Sequence, residues 1–146
     1  MLKGIPKILS PELLKVLAEM GHSDRLVISD GNFPAESMGK DAIVIRCDGH
    51  GVPEILDAIL QVFPLDSYVE HPVNLMEVMP GDNVETPIWD TYKEIILKYD
   101  DRGDAVVGNI ERFAFYDEAK TAYAIIATGE SALYANVMLQ KGVVTD

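Results

Sequence analysis

Leu13, Val16, Leu17 and Met20 recur at the three- and four-residue spacing that places side chains on one helix face. The helix they predict has its end signals in place: Ser10 to cap it, Pro11 at the first position, Glu12 at the positive end of the dipole and Gly21 as a stop. Arg25-Leu26-Val27-Ile28-Ser29-Asp30 predicts a short buried strand that ends in a carboxylate, and Gly31-Asn32-Phe33-Pro34 is loop chemistry. Ala42 to Ile45 predicts a second strand, closed by Asp48-Gly49. Val52, Ile55, Leu56, Ile59, Leu60 and Phe63 then return to helical spacing, with Pro53 near the helix start. Val73 to Met79 predicts a strand and Pro80 to Asn83 a turn; helices are expected around Trp89 to Lys98 and Phe113 to Lys120. Tyr123 to Ala127 and Ala135 to Leu139 read as closing strands.

Strands alternating with helices give an α/β fold in which helices pack on a central sheet. No repeat, low-complexity tract or linker divides the 146 residues, so one domain spanning residues 1–146 is expected. The strand order is not legible from the pattern.

Charge narrows the partners. Twelve Lys and Arg against 24 Asp and Glu give a net charge of −12, which repels phosphate backbones and anionic membranes and leaves a neutral ligand unopposed. Cys47 is the single cysteine, so no intrachain disulfide can form. The first residues, Met1-Leu2-Lys3-Gly4-Ile5-Pro6, lack the apolar run of a signal peptide, and no stretch has eighteen consecutive apolar residues. A cytoplasmic protein is expected.

Three segments carry candidate chemistry. His22 lies just past the end of the first helix, where the dipole favours a cation, with Asp24 close by and Asp30 ending the next strand. The carboxyl end of a strand is where open α/β sheets place ligands. The second is Thr128 to Asn136, where Tyr134 and Asn136, two apart about Ala135, would project from one face of a strand and offer a hydroxyl and an amide to a polyhydroxy ligand. The third is Arg112-Phe113-Ala114-Phe115-Tyr116, which joins a multi-donor guanidinium to aromatic rings able to pack on C–H faces. Phe33, Tyr116 and Trp89 are the candidate stacking faces, although Trp89 is first a core residue. Phosphate-binding glycine motifs are missing, and His50 and His71 lack metal-ligand spacing, so neither cofactor nor metal is expected. Cys47 has no basic neighbour in sequence and reads as an inert thiol; Asp100-Asp101 and Asp117-Glu118 read as solvated faces.

Taken in order, several stretches resemble the RbsD/FucU family of sugar mutarotases, and more closely its L-fucose mutarotase branch. They include Leu9-Ser10-Pro11-Glu12-Leu13-Leu14-Lys15-Val16-Leu17-Ala18-Glu19-Met20-Gly21-His22, Ser29-Asp30 with Phe33-Pro34, and Arg46-Cys47-Asp48-Gly49. Arg112-Phe113-Ala114-Phe115-Tyr116, Thr128-Gly129-Glu130, Tyr134-Ala135-Asn136-Val137 and Lys141-Gly142-Val143 continue the likeness to the end of the chain. The segment from Arg112 to Tyr116 favours the fucose branch over the ribose pyranase branch. The resemblance implies that His22 is a catalytic proton donor and that Asp30, Arg112, Tyr116, Tyr134, Ala135 and Asn136 bind the sugar. It also implies a ring-shaped homodecamer with sites at subunit contacts. The activity implied is interconversion of the α and β anomers of free L-fucose. The rivals are a D-ribose pyranase, a non-catalytic sugar-binding or transport-accessory protein, and a purely structural assembly subunit.

Overall fold

Ser10 caps the first helix: its hydroxyl accepts the Leu13 amide at 3.2 Å, and α1 (Pro11–Glu19) buries Leu13, Val16 and Leu17. The computed structural model describes residues 1–146. The helix does not stop on glycine. Met20 is extended at the C-cap, and Lys141, from the far end of the chain, brings its ammonium to the carbonyls of Leu17 and Met20. A cation there satisfies unpaired acceptors and meets the negative end of the dipole. Gly21 instead opens a tight loop, its amide donating to Asp24 Oδ2 at 2.7 Å.

The elements that follow are β1 (Arg25–Ser29), α2 (Ala35–Met38), β2 (Ile43–Cys47), α3 (Val52–Leu60), β3 (Val73–Met76) and α4 (Pro87–Tyr99). A 3-10 turn (Gly103–Val106), β4 (Val107–Ile110), α5 (Arg112–Ala119), β5 (Ala124–Thr128) and β6 (Val137–Gln140) complete the chain. Two elements are absent from the sequence pattern. The four-residue α2 is too short for a helical stripe, and β4 reads Val-Gly-Asn-Ile, whose central residues are poor strand formers. β3 is also shorter than its apolar run, because the chain leaves the sheet after Met76.

The strands form one six-stranded sheet in the order β2-β5-β1-β6-β3-β4. β6 is antiparallel to both its neighbours, β1 and β3, while the other pairings are parallel. Five strands therefore point one way. The uniformly apolar look of β1 has a simple cause: successive side chains leave opposite faces of the sheet, and both faces are covered. Leu26 and Ile28 join the larger core with α1, α3 and α4, while Val27 joins the smaller core with Phe33, Phe115 and Ile125 under α2 and α5.

This topology creates two distinct edges. The carboxyl ends of β1, β3, β4 and β5 meet the start of β6 at one edge of the sheet. The end of β6, the start of β1 and the loop after α1 meet at the other. Gly129 holds the first edge tight. Its amide donates to the His50 carbonyl at 2.9 Å, and a Cβ on it would stand 2.0 Å from the Asp48 carbonyl oxygen, so only glycine fits this approach.

Candidate active site

At the carboxyl edge, Asp30 emerges from β1 and is 7 % exposed. Its backbone amide donates to Asn136 Oδ1 at 2.8 Å, and its carboxylate accepts the Asn32 amide at 3.0 Å. Burial pushes this carboxyl above its ordinary range, and the Glu130 charge adds to that push. The amides of Asn32, Ala135 and Phe33 work against it. The result is a desolvated acceptor with a prearranged direction. Because Asn136 spends its oxygen on the Asp30 amide, its side-chain nitrogen, which donates to no group of the chain, remains for a ligand.

Tyr134 departs from the expected strand. β6 starts only at Val137, and Tyr134 sits in the turn before it with φ 55°, in the left-handed region that non-glycine residues avoid. Two side chains of α4 hold this turn: Trp89 Nε1 donates to the Tyr134 carbonyl at 2.8 Å, and the Tyr92 hydroxyl to the Ala135 carbonyl at 2.7 Å. Trp89 is thus a buttress packed on the larger core, and no stacking role is needed to explain it. The Tyr134 hydroxyl donates to Asp82 Oδ2 at 2.6 Å and accepts the Met79 amide at 3.3 Å.

Arg112 is the first residue of α5, whose N-terminus is capped by Glu111 accepting the Phe113 and Ala114 amides. Its Nε donates to the Tyr116 hydroxyl at 3.2 Å, and the guanidinium lies 5.5 Å from the ring centres of both Phe113 and Tyr116. The terminal nitrogens are left for a ligand. Phe33 is not available to one: it is buried against Phe115 and Tyr116.

His22 stands apart from all of this. It lies beyond the other end of β1, and five residues of strand at about 3.3 Å each separate the two edges by roughly 16 Å. There its Nε2 faces Asp66 Oδ1 at 3.1 Å, and its ring lies 5.2 Å from that of Tyr68. Asp66 is 1 % exposed and is itself held from several sides. Its carboxylate accepts the Tyr68 amide at 3.0 Å and Gln140 Nε2 at 3.0 Å, and its carbonyl accepts Arg102 at 3.2 Å. Arg102 is in turn gripped by Asp100, which is therefore no solvated acid; Glu118 likewise pairs with Arg25 at 2.7 Å. Burial acts to raise the Asp66 carboxyl, but the bonds from Tyr68, Gln140 and His22 outweigh it and hold it below the usual carboxylate value of 3.8. An ionised Asp66 keeps the proton on the near ring nitrogen of His22, so Nδ1 is the nitrogen presented outward.

Asp66 was not among the sequence candidates, although Asp66-Ser67-Tyr68 carries the signature of an Asx turn. A lowered carboxyl contributes stability above its ordinary pKa and loses it as pH falls through the folded value. Asp66→Asn is therefore expected to flatten the loss of stability on acidification below about pH 4. Urea unfolding at a series of acidic pH values checks this; an unchanged acid slope would contradict the assignment.

His50 pairs with Glu54 at 2.9 Å on the surface, and no group of three or more His, Cys, Asp or Glu side chains converges on a common point. No helix is long and apolar enough to cross a membrane.

The fucose mutarotase of Homo sapiens is 49 % identical over 148 aligned residues, covering 97 % of this chain and 94 % of that one. The crystal structure of FucU from Bifidobacterium longum superposes with a TM-score of 0.97 at 67 % identity, covering 98 % of this chain and all of the other. The fucose mutarotase of Streptococcus pneumoniae, solved in complex with L-fucose, superposes with a TM-score of 0.92 at 47 % identity over 99 % of this chain and 100 % of that one. The model of the RbsD / FucU transport protein family matches residues 3–144, and with nearly the whole length accounted for the chain belongs to that family.

Proposed function

We propose that this protein is an L-fucose mutarotase: it interconverts the α and β anomers of free L-fucose by opening and reclosing the sugar ring. The observation that carries this reading is near-full-length similarity, at about half identity, to proteins named for that activity, one of them solved with L-fucose bound. All 146 residues act as one domain.

Mutarotation needs an acid at the ring oxygen and a base at the anomeric hydroxyl, with the roles reversed on closure. His22 supplies the acid in its imidazolium form: Asp66 holds the proton on its near nitrogen, and Nδ1 gives its own proton to the sugar and takes it back. Asp30, Asn136 and Arg112 bind the sugar hydroxyls, through a desolvated carboxylate, a free amide nitrogen and free guanidinium nitrogens. Ala135 contributes backbone between them, and the Tyr116 ring and hydroxyl hold Arg112 in place. No step moves electrons to or from the sugar, so none calls for a redox group.

The separation of His22 from Asp30 gives assembly a chemical purpose. One chain cannot bring both to one sugar, whereas two copies can, with the amino edge of one laid against the carboxyl edge of the next. Exposed apolar side chains flank both edges, Tyr68 (78 % exposed) beside His22, and Phe113 and Leu133 near Arg112 and Tyr134. Heterologous contacts of this kind close into rings, and a ring-shaped decamer is the assembly proposed. The lone, disulfide-free Cys47 accords with a cytoplasmic protein.

Asp30→Asn is expected to weaken L-fucose binding by about tenfold, the scale of a hydrogen bond to a charged group. A sugar titration followed by calorimetry reads this, and an affinity equal to the parent's would remove Asp30 from the site.

A further inference from the structure

We infer that Glu130, in the loop after β5, is a positioning residue for the sugar: it clasps together the loops that carry Asp30 and Asn136 and holds a negative charge beside Asp30. The inference rests on L-fucose binding at the carboxyl edge, as proposed above. It concerns a stretch, Thr128-Gly129-Glu130, that has no task in that reading.

Asp30 is bracketed from the Glu130 side. The Thr128 hydroxyl donates to the Ser29 carbonyl at 2.7 Å and accepts the Glu130 amide at 3.2 Å. The Glu130 carbonyl accepts the Gly31 amide at 2.8 Å. Ser29 and Gly31 are the chain neighbours of Asp30, so Glu130 fixes the backbone on both sides of it. Its carboxylate works in the other direction. Oε1 accepts the Ala132 amide at 3.1 Å, in the run that leads to Tyr134 and Asn136, and Oε2 accepts the Val52 amide at 3.2 Å, at the start of α3. The far end of the same run is tied to α4 by Trp89 and Tyr92. The segment that presents Ala135 and Asn136 is therefore anchored at both ends.

A carboxylate suits this place and an amide does not. Each oxygen meets a backbone donor from a different element, and an amide side chain would turn one N–H toward another. The first turn of a helix also favours an anion, because its amides are unpaired and its dipole is positive there. Gly51 makes the room. A Cβ on it would stand 2.8 Å from Glu130 Oε2, although its backbone, at φ −85° and ψ 166°, is open to any residue. The glycine is explained by the carboxylate it lets in, not by its own conformation.

For the sugar this means a prearranged partner, since binding does not have to order the turn before β6. It also means that Asp30 ionises beside a charge of its own sign. Burial is the larger force holding the Asp30 proton above the ordinary value of 3.8, and Glu130 adds to it. Tyr92 on α4 faces Asp30 as a neutral phenol, and the amides of Asn32, Ala135 and Phe33 oppose the shift. An ionised Asp30 accepts from a sugar hydroxyl, so affinity is complete above the raised value and is lost as pH falls through it.

The test is L-fucose affinity by calorimetry as a function of pH, on the parent, Glu130→Gln, Gly51→Ala and Asp30→Asn, with folding checked by urea unfolding. Glu130→Gln is expected to bind about tenfold more weakly at neutral pH, because the turn is formed in a smaller fraction of molecules. Its acid midpoint for binding is expected to lie below the parent's, because the neighbouring charge is gone. Asp30→Asn is expected to show no such midpoint, which assigns the midpoint to Asp30. Gly51→Ala keeps the charge but pushes the carboxylate off the Val52 amide, and it too is expected to lose affinity. Glu130→Gln with the parent's affinity and midpoint would overturn the inference, and so would weaker binding with an unmoved midpoint, which any loosening of the loop would give. If Glu130→Gln does not fold, Gly51→Ala binding as tightly as the parent overturns it instead. A parent that binds no L-fucose at any pH would overturn the reading on which the inference rests.

Discussion

Replacing His22 by alanine is expected to slow L-fucose anomer exchange by about 10²–10⁴-fold, the usual contribution of a positioned acid. The fold is expected to survive the change. The His22 side chain is 44 % exposed, and its one hydrogen bond is to Asp66, which keeps its bonds to the Tyr68 amide and Gln140 when the imidazole is gone. Glutamine at the same position retains a polar amide but no transferable proton, and it is expected to be as slow as alanine. Exchange rates from saturation transfer, read beside the urea unfolding midpoint, check both halves of the expectation. A folded His22→Ala protein exchanging at the parent's rate would show that the acid lies elsewhere.

Mixing two crippled proteins is expected to restore activity. His22→Ala lacks the proposed acid at the amino edge, and Asp30→Asn lacks the carboxylate at the carboxyl edge, which the length of β1 keeps apart within one chain. If each sugar lies between the amino edge of one copy and the carboxyl edge of another, random assembly of equal amounts rebuilds about one site in four from two unaltered halves. The mixture, unfolded and refolded together so that subunits exchange and assayed well below saturating sugar, should then run about two- to threefold above Asp30→Asn alone and far above His22→Ala alone. Activity no higher than the mean of the two would place both residues in a site within one chain, contrary to the geometry of the sheet.

What the sequence made legible and what it hid follow from the range of the interactions. α1 and α3 were readable because their apolar faces are local and periodic, and β1 because a strand covered on both faces is uniformly apolar. The end of α1 is not legible: the partner of its last carbonyls is Lys141, over a hundred residues away, so Gly21 suggests a stop that it does not itself make. Tyr134 reads as part of a strand because its neighbours are strand-like. Its left-handed backbone is imposed by Trp89 and Tyr92, a tertiary effect with no local sign. His22 and Asp30 stand out in the sequence as candidate functional groups, but their placement on opposite edges depends on strand direction, which periodicity does not encode. The pairing of His22 with Asp66 is hidden for the same reason, since the contact spans more than forty residues.

The most direct measurement is saturation-transfer NMR on L-fucose at anomeric equilibrium, with the parent protein in catalytic amount and D-ribose run alongside. The expected result is faster exchange between the α and β anomers of L-fucose. Acceleration confined to D-ribose would assign the protein to the pyranase activity instead. Binding of L-fucose without any acceleration would contradict the enzymatic reading and leave a sugar-binding protein.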